Sequence, residues 1–211
     1  MIGWLPSVTL LTALIGYYAT WINNAAAALS ANAFDLAEWV GIIPAVRYAD
    51  PPMGAPFALR LALVMLAWLF ALHGAAAQRL SGRVIFGVIG LALAVSLRPP
   101  IAFFRGETAD PNYQQLALLC LLALIGVALI SAAGWRGMAR RWWWLLMALP
   151  LALIGVGSAL VGLRGALEAL SRLQIPTPLG AGGIVYGIGV GLYGVLSVWL
   201  ALRARNKTGR Q

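Results

Sequence analysis

Charged residues are scarce in this sequence. Lysine, arginine, aspartate and glutamate make up 10% of its 211 residues, whereas an average soluble domain contains about 25%. Hydrophobic residues make up 62%. A soluble fold of this size could not cover so much apolar surface with polar side chains, so the composition excludes an ordinary soluble protein. It predicts one integral membrane domain over residues 1–211, with the lipid bilayer as its solvent.

Histidine and cysteine are almost absent as well. His73 is the single histidine, so the chain alone cannot build a bis-histidine haem site or a zinc site of the Cys/His type. The single cysteine, Cys120, cannot form an intramolecular disulfide, and its apolar surroundings favour a role as core filler. We therefore expect no metal site and no cofactor.

Signatures of nucleophilic catalysis are also missing from the sequence. It contains no Gly-x-Ser-x-Gly motif, and no serine or threonine has an evident histidine or lysine partner. The sequence therefore leaves any catalytic residues unknown. An intramembrane enzyme is the function that it supports least.

What the sequence does contain is a series of long apolar runs. A bilayer-spanning helix needs about 20 apolar residues, and six runs approach or exceed that length: Trp4 to Ala28, Ala58 to Ala77, Val84 to Leu97, Tyr113 to Trp135, Trp142 to Leu163 (continuing toward Leu173) and Leu179 to Leu202. No Lys or Arg precedes the first run, which favours an uncleaved helix over a signal peptide. The third run is the shortest, and its 14 residues between Arg83 and Arg98 extend about 21 Å as a helix.

The charges divide between two sides as six spans would require. One side carries basic residues and no acidic ones: Arg79, Arg83, Arg136, Arg140, Arg141, Arg203, Arg205, Lys207 and Arg210. The other side carries equal numbers of both signs: Arg47, Arg60, Arg98, Arg105, Arg164, Arg172, Asp35, Glu38, Asp50, Glu107, Asp110 and Glu168. The net charge of +9 therefore falls on one side, as the positive-inside rule describes. This predicts an all-α protein with six transmembrane helices, both termini in the cytoplasm and a location in the plasma (inner) membrane. It also explains the basic charge without a nucleic-acid partner.

The first outer loop predicts a short helix within Phe34 to Ile43. Asn32 can cap its start, and Pro44 would stop it. At 100° per residue, one arc of this helix is apolar, which suits a helix lying along the membrane surface. The residues of the apolar arc are Leu36, Trp39, Val40 and Ile43.

Asp35 and Glu38 lie on the other arc of this helix. Two carboxylates three residues apart could bind a cation or serve acid–base chemistry. The alternative is that they form the solvated side of the helix, where Asp35 favours the positive N-terminal end of the helix dipole.

Three arginines on the outer side form a second candidate site. Arg98 follows the shortest apolar run, and charges at membrane depth are costly and often functional. A cluster of Arg60, Arg98 and Arg105 would suit an anionic lipid headgroup or a carboxylate. The alternatives are that each side chain snorkels to the interface or pairs with a nearby acid.

Glycines recur at three- and four-residue spacing along the sixth run, which predicts a smooth helix face. Such faces allow two helix backbones to approach closely. We expect Gly183, Gly187 and Gly191 to pack against the fifth helix, which offers Gly155 and Gly162. A seam for another chain is the alternative.

These observations lead to two main hypotheses about function. The first is a non-catalytic multi-pass subunit that joins other membrane protein chains in a larger transport or energy-converting assembly, because catalytic groups are missing and packing faces are present. The second is a permease for small solutes or lipids, which would use Arg60, Arg98 or the Asp35 and Glu38 pair near the outer side.

Overall fold

The computed structural model describes residues 4–24, 29–50, 52–136 and 143–208. Its elements in chain order are α1 (Leu5–Tyr18), β1 (Ile22–Asn24), β2 (Leu29–Ala31), α2 (Ala33–Gly41), α3 (Pro44–Arg47), α4 (Gly54–Ala76), α5 (Leu80–Ser96), α6 (Ile101–Phe104), α7 (Pro111–Trp135), α8 (Trp143–Leu146), α9 (Ala148–Arg172) and α10 (Gly182–Thr208). The fold is thus built almost entirely of helices, as the sequence predicts. Residues 25–28 of the first apolar run, and Arg140, Arg141 and Arg210 of the basic side, lie outside the described residues.

Within the described ranges, four helices are long and apolar enough to cross a membrane. They are α4, α7, α10, and α9 together with the residues that precede it from Trp144. Helices α1, with 14 residues, and α5, with 17 residues, are apolar but shorter. Because a helix of about 20 apolar residues spans the hydrocarbon core, the four long helices make the chain a multi-pass membrane protein.

The first apolar run is not one continuous helix. Helix α1 ends at Tyr18, and the chain then forms an antiparallel hairpin in which Ile22 pairs with Ala31. The turn out of the helix is held by Trp21, whose indole N–H donates to the Gly16 carbonyl over 2.8 Å. Asparagine side chains compete with the backbone for hydrogen bonds and so disfavour a helix interior, which explains why Asn23 lies in a strand. The prediction of a helix to Ala28 is therefore wrong.

Helix α4 lies at the centre of the bundle, where it packs against α5, α7 and α9. It is buried over most of its surface, as expected of a helix that is apolar all round. Its fully buried side chains include Ala62, Leu63, Val64, Leu66, Leu69 and Phe70. Arg60 is the single charged residue of this helix, so its guanidinium lies within an otherwise apolar core.

The helices run between two ends of different character. We call one the hairpin end, because the β1–β2 hairpin lies there and Ile22 also bridges to Leu179 before α10. We call the other the basic end, because Arg79 and Arg136 cap helices there and Arg83 lies in the first turn of α5. At the basic end Gly134 of α7 lies against Ala75 of α4. Helix α9 is thus antiparallel to α4, whereas α7 runs parallel to it, with contacts from Asn112 to Arg60 at one end and from Gly134 to Ala75 at the other.

The glycine stripe of α10 does not pack as expected. A Cβ built on Gly187 or Gly191 would meet no atom within 4 Å, and one on Gly183 would make only ordinary contact with the Trp21 ring. The close approach involves the opposite face, where a Cβ on Gly189 would lie 2.5 Å from the backbone nitrogen of Ala13 in α1. The predicted close packing of Gly187 and Gly191 is therefore wrong. The glycine spacing marked a smooth face, but it could not indicate which face a neighbouring helix would cover.

The glycines of α9 do allow a close helix crossing, chiefly with α4. A Cβ on Gly162 would lie 2.7 Å from the backbone nitrogen of Leu59. A Cβ on Gly155 would lie 3.2 Å from Met65 Cβ and 3.1 Å from the Tyr186 hydroxyl of α10. Small residues on α9 therefore allow its backbone to lie close to α4. Of these two glycines, only Gly155 also contacts α10.

Candidate functional site

Helix α2 forms in the first outer loop and begins at the predicted cap. Asn32 Oδ1 accepts hydrogen bonds from the backbone N–H groups of Phe34 (2.9 Å) and Asp35 (3.0 Å). The Asn32 amide donates in turn to Asp35 Oδ2 over 2.7 Å. The Asp35 carboxylate thus belongs to the helix cap, where it also favours the positive end of the helix dipole.

The apolar arc of α2 faces protein. Leu36, Ala37 and Val40 are fully buried, because α2 packs against α4 and α9. Trp39 is 52% exposed and lies off the buried face. The expected helix is confirmed, but its apolar contact is with the bundle and excludes Trp39. Small Ala33 and Ala37 side chains, which the expected arc left out, permit this close packing.

Glu38 turns from α2 toward the buried guanidinium of α4. Arg60 has no exposed side-chain surface, and its Nη2 donates to Glu38 Oε1 over 2.6 Å. The same nitrogen donates to Asn112 Oδ1 over 2.6 Å, and Nη1 donates to Gln115 Oε1 over 2.7 Å. We call these four side chains the Arg60 network. A charge at this depth is expensive unless it is paired and hydrogen-bonded, so the network explains how α4 accommodates Arg60.

The Arg60 network also fixes three helices at the hairpin end. Asn112 Nδ2 donates to Glu38 Oε2 over 3.3 Å, and Gln115 Nε2 donates to the Met53 carbonyl over 3.1 Å. Met53 adopts a left-handed conformation (φ 58°) at the start of α4. Helices α2, α4 and α7 are therefore tied at one level. Because these partners engage the guanidinium, the interpretation that Arg60 pairs with a local acid is confirmed.

A second ion pair closes the same end nearer the surface. Arg47 Nη2 lies 2.7 Å from Asp110 Oδ2, and Asp110 also caps α7 by accepting from the Asn112 backbone N–H over 2.8 Å. The hydrogen bond that the guanidinium donates to the Asp110 carboxylate raises the pKa of Arg47 above its usual value. This pair joins α3 to the start of α7 and leaves neither charge available for a ligand.

A cleft of about 560 Å³ opens beside the network. We call it the Arg98 cleft. Its lining residues are Phe34, Glu38, Arg98, Pro99, Pro100, Ile101, Phe104, Asn112, Tyr113 and Leu116. Of the sequence candidates, Glu38 and Arg98 share this cleft, Arg60 lies behind it through Glu38 and Asn112, and Asp35 and Arg105 do not line it. The expected cluster of three free arginines is therefore not formed.

Sequence reasoning missed Asn112 and Gln115. Both lie in the first two turns of α7, three residues apart and so on one helix face. Two amides on one face at the start of an otherwise apolar run were a usable signal for a polar contact. Their partner on α4 could not be identified without the fold, because Arg60 is more than 50 residues away along the chain.

A second cleft, of about 820 Å³, opens at the basic end. We call it the Ser7 cleft. Its lining residues are Trp4, Pro6, Ser7, His73, Ala76, Ala77, Gln78, Arg79, Ser81, Gly82, Ile85, Phe86, Leu145, Tyr193, Ser197 and Leu200. Within it, Ser7 Oγ and His73 Nε2 are 2.8 Å apart.

The Ser7–His73 contact corrects the sequence interpretation that no serine has a histidine partner. The two residues are separated by 66 positions, so no local motif reveals them. Their places at the start of α1 and near the end of α4 were the available signal, since antiparallel neighbours bring those two helix ends together.

Comparison with known proteins gives no precedent for either site. No protein-family model matches the chain, and no curated protein or solved structure matches it. Its function must therefore be inferred from its own residues. Among the described residues no group of three or more histidine, cysteine, aspartate or glutamate side chains could hold a metal ion.

Proposed function

We propose that the chain is a six-span protein of the plasma (inner) membrane, with both termini in the cytoplasm, which binds an anionic amphiphile in the Arg98 cleft on its outer side. The segregation of basic residues to one end supports the topology. Helices α1 and α5 are short for a hydrocarbon core of about 30 Å. The hairpin extends the first segment. Arg83 lies in the first turn of α5 and Arg98 follows its end, so the two side chains can snorkel to opposite interfaces.

Site-directed labelling tests the topology. Glu107 and Arg136 are both exposed and lie at opposite ends of α7. Cysteines placed at these positions, in a Cys120→Ala background, should react with a membrane-impermeant maleimide from opposite sides of an intact membrane. Labelling of both from the same side would contradict six spans.

The charge arrangement carries the binding proposal. Glu38 faces the Arg98 cleft, but its charge is matched by Arg60. Arg98 is exposed, and no ion pair of its side chain is recorded within the described ranges. The Arg98 guanidinium is therefore a positive charge in the cleft that no carboxylate there neutralises. A guanidinium binds carboxylate or phosphate oxygens with two parallel hydrogen bonds.

The walls of the cleft favour an amphiphile over a simple anion. Phe34, Ile101, Phe104 and Leu116 surround the polar groups, and Ile101 and Phe104 are largely exposed. Large exposed apolar side chains near a single charge suit a ligand with an anionic head and an apolar tail. The Arg60 network holds Glu38 and Asn112 in place, so the polar wall is preformed.

Lipid binding in detergent tests this proposal. The purified protein in a neutral maltoside detergent should bind phosphatidylglycerol more tightly than phosphatidylcholine, as measured by native mass spectrometry. Arg98→Gln should weaken phosphatidylglycerol binding about tenfold, which corresponds to about 1.4 kcal/mol and is near the lower limit for a charged hydrogen bond.

Arg105→Gln is the matched control. It removes the same charge from the same connection between α5 and α7, but Arg105 does not line the cleft. Its phosphatidylglycerol affinity should equal that of the unmodified chain. Equal losses in both variants would indicate general charge attraction to the lipid and would contradict a site at Arg98.

A second candidate is that the chain is a subunit of a larger membrane assembly. The observation that favours it is the open glycine face of α10, where Gly187 and Gly191 have no neighbour within 4 Å of a built Cβ. A hydrophobic helix of another membrane chain could approach such a face closely. Purification in mild detergent should recover that chain, and Gly187→Leu should lose it while the isolated protein melts at an unchanged temperature. Recovery of the same chains with the variant would contradict this role for the glycine face.

A further inference from the structure

We infer that Ser7 and His73 form the nucleophile and general base of an acyl-transfer site at the basic end, acting on an ester of the lipid class. Ser7 Oγ lies 2.8 Å from His73 Nε2, within the range for a nucleophile hydrogen-bonded to its base. The pair lines a cleft of about 820 Å³, so a substrate can reach it. This activity goes beyond the binding proposed for the hairpin end, and it departs from the expectation of a non-catalytic chain.

The position of Ser7 in α1 favours attack on a carbonyl. Ser7 is the third residue of a 14-residue helix, and the first backbone N–H groups of a helix have no partner within it. Trp4 precedes the helix without a side-chain cap. The positive end of the helix dipole therefore lies beside the hydroxyl, where it would stabilise the oxyanion that forms when the hydroxyl attacks.

Aromatic rings fix the orientation of the imidazole. The His73 ring lies edge-to-face with Phe86, with centroids 4.5 Å apart and an interplanar angle of 85°. It also contacts Tyr193 at 5.7 Å and 75°. Packing from two sides holds Nε2 toward Ser7 in the way that a third polar group does in many hydrolases. No carboxylate partner of His73 is recorded in the described part of the chain, so we expect a slow enzyme.

A buried hydroxyl gives the cleft a further polar group. Tyr193 lines it and is 0% exposed. Its hydroxyl makes no hydrogen bond of good geometry among the described residues, and its recorded polar neighbour is Ser197. A buried hydroxyl without a hydrogen-bond partner is costly, and a bound ester could satisfy it only after the ring moves, because the oxygen is enclosed.

The walls and the depth of the cleft indicate the substrate class. Ile85, Phe86, Leu145 and Leu200 provide apolar surface, and Arg79 lies at the exposed rim. In the proposed topology this rim is level with the cytoplasmic lipid headgroups, close to the depth of glycerol ester bonds. An acyl chain along the apolar wall and an anionic headgroup at Arg79 would place an ester carbonyl near Ser7.

The proposed reaction has two steps. Ser7 Oγ bonds to the ester carbonyl carbon while its proton passes to His73 Nε2. The bond from the carbonyl carbon to the leaving oxygen then breaks, and that oxygen departs as an alcohol with the proton from His73. In the second step the oxygen of a water or another alcohol bonds to the carbonyl carbon and gives its proton to His73. The bond from that carbon to Ser7 Oγ then breaks, and His73 returns the proton to Oγ, which restores the Ser7 hydroxyl.

Labelling with a fluorophosphonate tests the inference on the intact protein in neutral detergent. These probes phosphonylate activated serines, and digestion with mass spectrometry should place the adduct on Ser7. The protein should also hydrolyse p-nitrophenyl butyrate slowly, with saturation. A wild-type protein with no adduct, or with its adduct on another residue, would overturn the proposal without the use of any variant.

Two variants separate catalysis from packing. Ser7→Ala should abolish labelling, and His73→Gln should slow it about 100-fold, the lower limit for a positioned general base. Ser96→Ala, which removes a hydroxyl bonded to the Leu93 carbonyl at the other end of the bundle, should label as the wild type does. All three are compared as monodisperse fractions. If His73→Gln is labelled at the wild-type rate, the proposed base is overturned. Arg98→Gln should be labelled as the wild type is, which would show that this site is distinct from the Arg98 cleft.

Discussion

The two ends of the bundle differ in whether their polar side chains are enclosed by protein or open to a cleft. At the hairpin end Arg60 is enclosed by Glu38, Asn112 and Gln115, and these bonds join α2, α4 and α7 at one level. At the basic end Ser7 and His73 bond to each other in an open cleft. A buried charge in an apolar core is costly unless it is paired and hydrogen-bonded. The bonds at the hairpin end engage both terminal nitrogens of Arg60, although its Nε has no partner among the described residues, so the polar groups of this end serve stability. The Ser7–His73 pair at the second end is the proposed acyl-transfer site.

The largest expected effect comes from breaking the ion pair at the hairpin end. Glu38→Ala would leave the Arg60 guanidinium buried without its counter-charge, and removing one partner of a buried pair costs about 3–5 kcal/mol. Thermal melting in detergent should show a large decrease in the melting temperature. Asp35→Ala is the control, because Asp35 is an exposed cap residue and its loss should cost much less. Similar melting of both variants would contradict a structural role for the network.

The network also shows where sequence reasoning reaches its limit. Apolar run length predicted the long helices, since the hydrocarbon core imposes that length on any spanning segment. The cap at Asn32 was predicted for a local reason, because its partners lie within three residues. The pairing of Arg60 with Glu38 and Asn112 is set by which helices are neighbours, and residue spacing does not contain that information. The contact between Ser7 and His73 was missed for the same reason.

A second prediction concerns the crossing of α1 and α10, which links the two ends. Gly189→Leu should destabilise the protein by about 1–3 kcal/mol through overpacking, because a Cβ there would lie 2.5 Å from the Ala13 backbone. Gly187→Leu on the open face of the same helix should leave the melting temperature nearly unchanged. The two variants add the same side chain to one helix. Equal melting temperatures would therefore mean that α1 does not pack on the Gly189 face of α10.

A third prediction tests whether the cap of α2 supports the network. Asn32→Ala removes the acceptor for two backbone N–H groups, and loss of such a cap costs about 1 kcal/mol. Because α2 carries Glu38, the variant should also make the hairpin end open more often, with faster hydrogen exchange at the start of α4. Slower hydrogen exchange in Asn32→Ala, or a decrease in the free energy of unfolding as large as that of Glu38→Ala, would contradict a modest structural role for the cap.

The smallest effect on stability is expected at the basic end, although its effect on reactivity should be complete. Ser7→Ala removes one hydrogen bond between α1 and α4, and side-chain hydrogen bonds between membrane helices contribute about 0.6 kcal/mol on average. The melting temperature should therefore fall only slightly, while fluorophosphonate labelling disappears. If the pair served instead to hold the two helices together, as the Arg60 network does, Ser7→Ala would lower the melting temperature clearly. The wild-type protein would then not be labelled. Melting and labelling of the same purified fraction decide between these two roles. A reactive pair with little structural contribution would show that the chain confines its stabilising polar contacts to one end and its chemistry to the other.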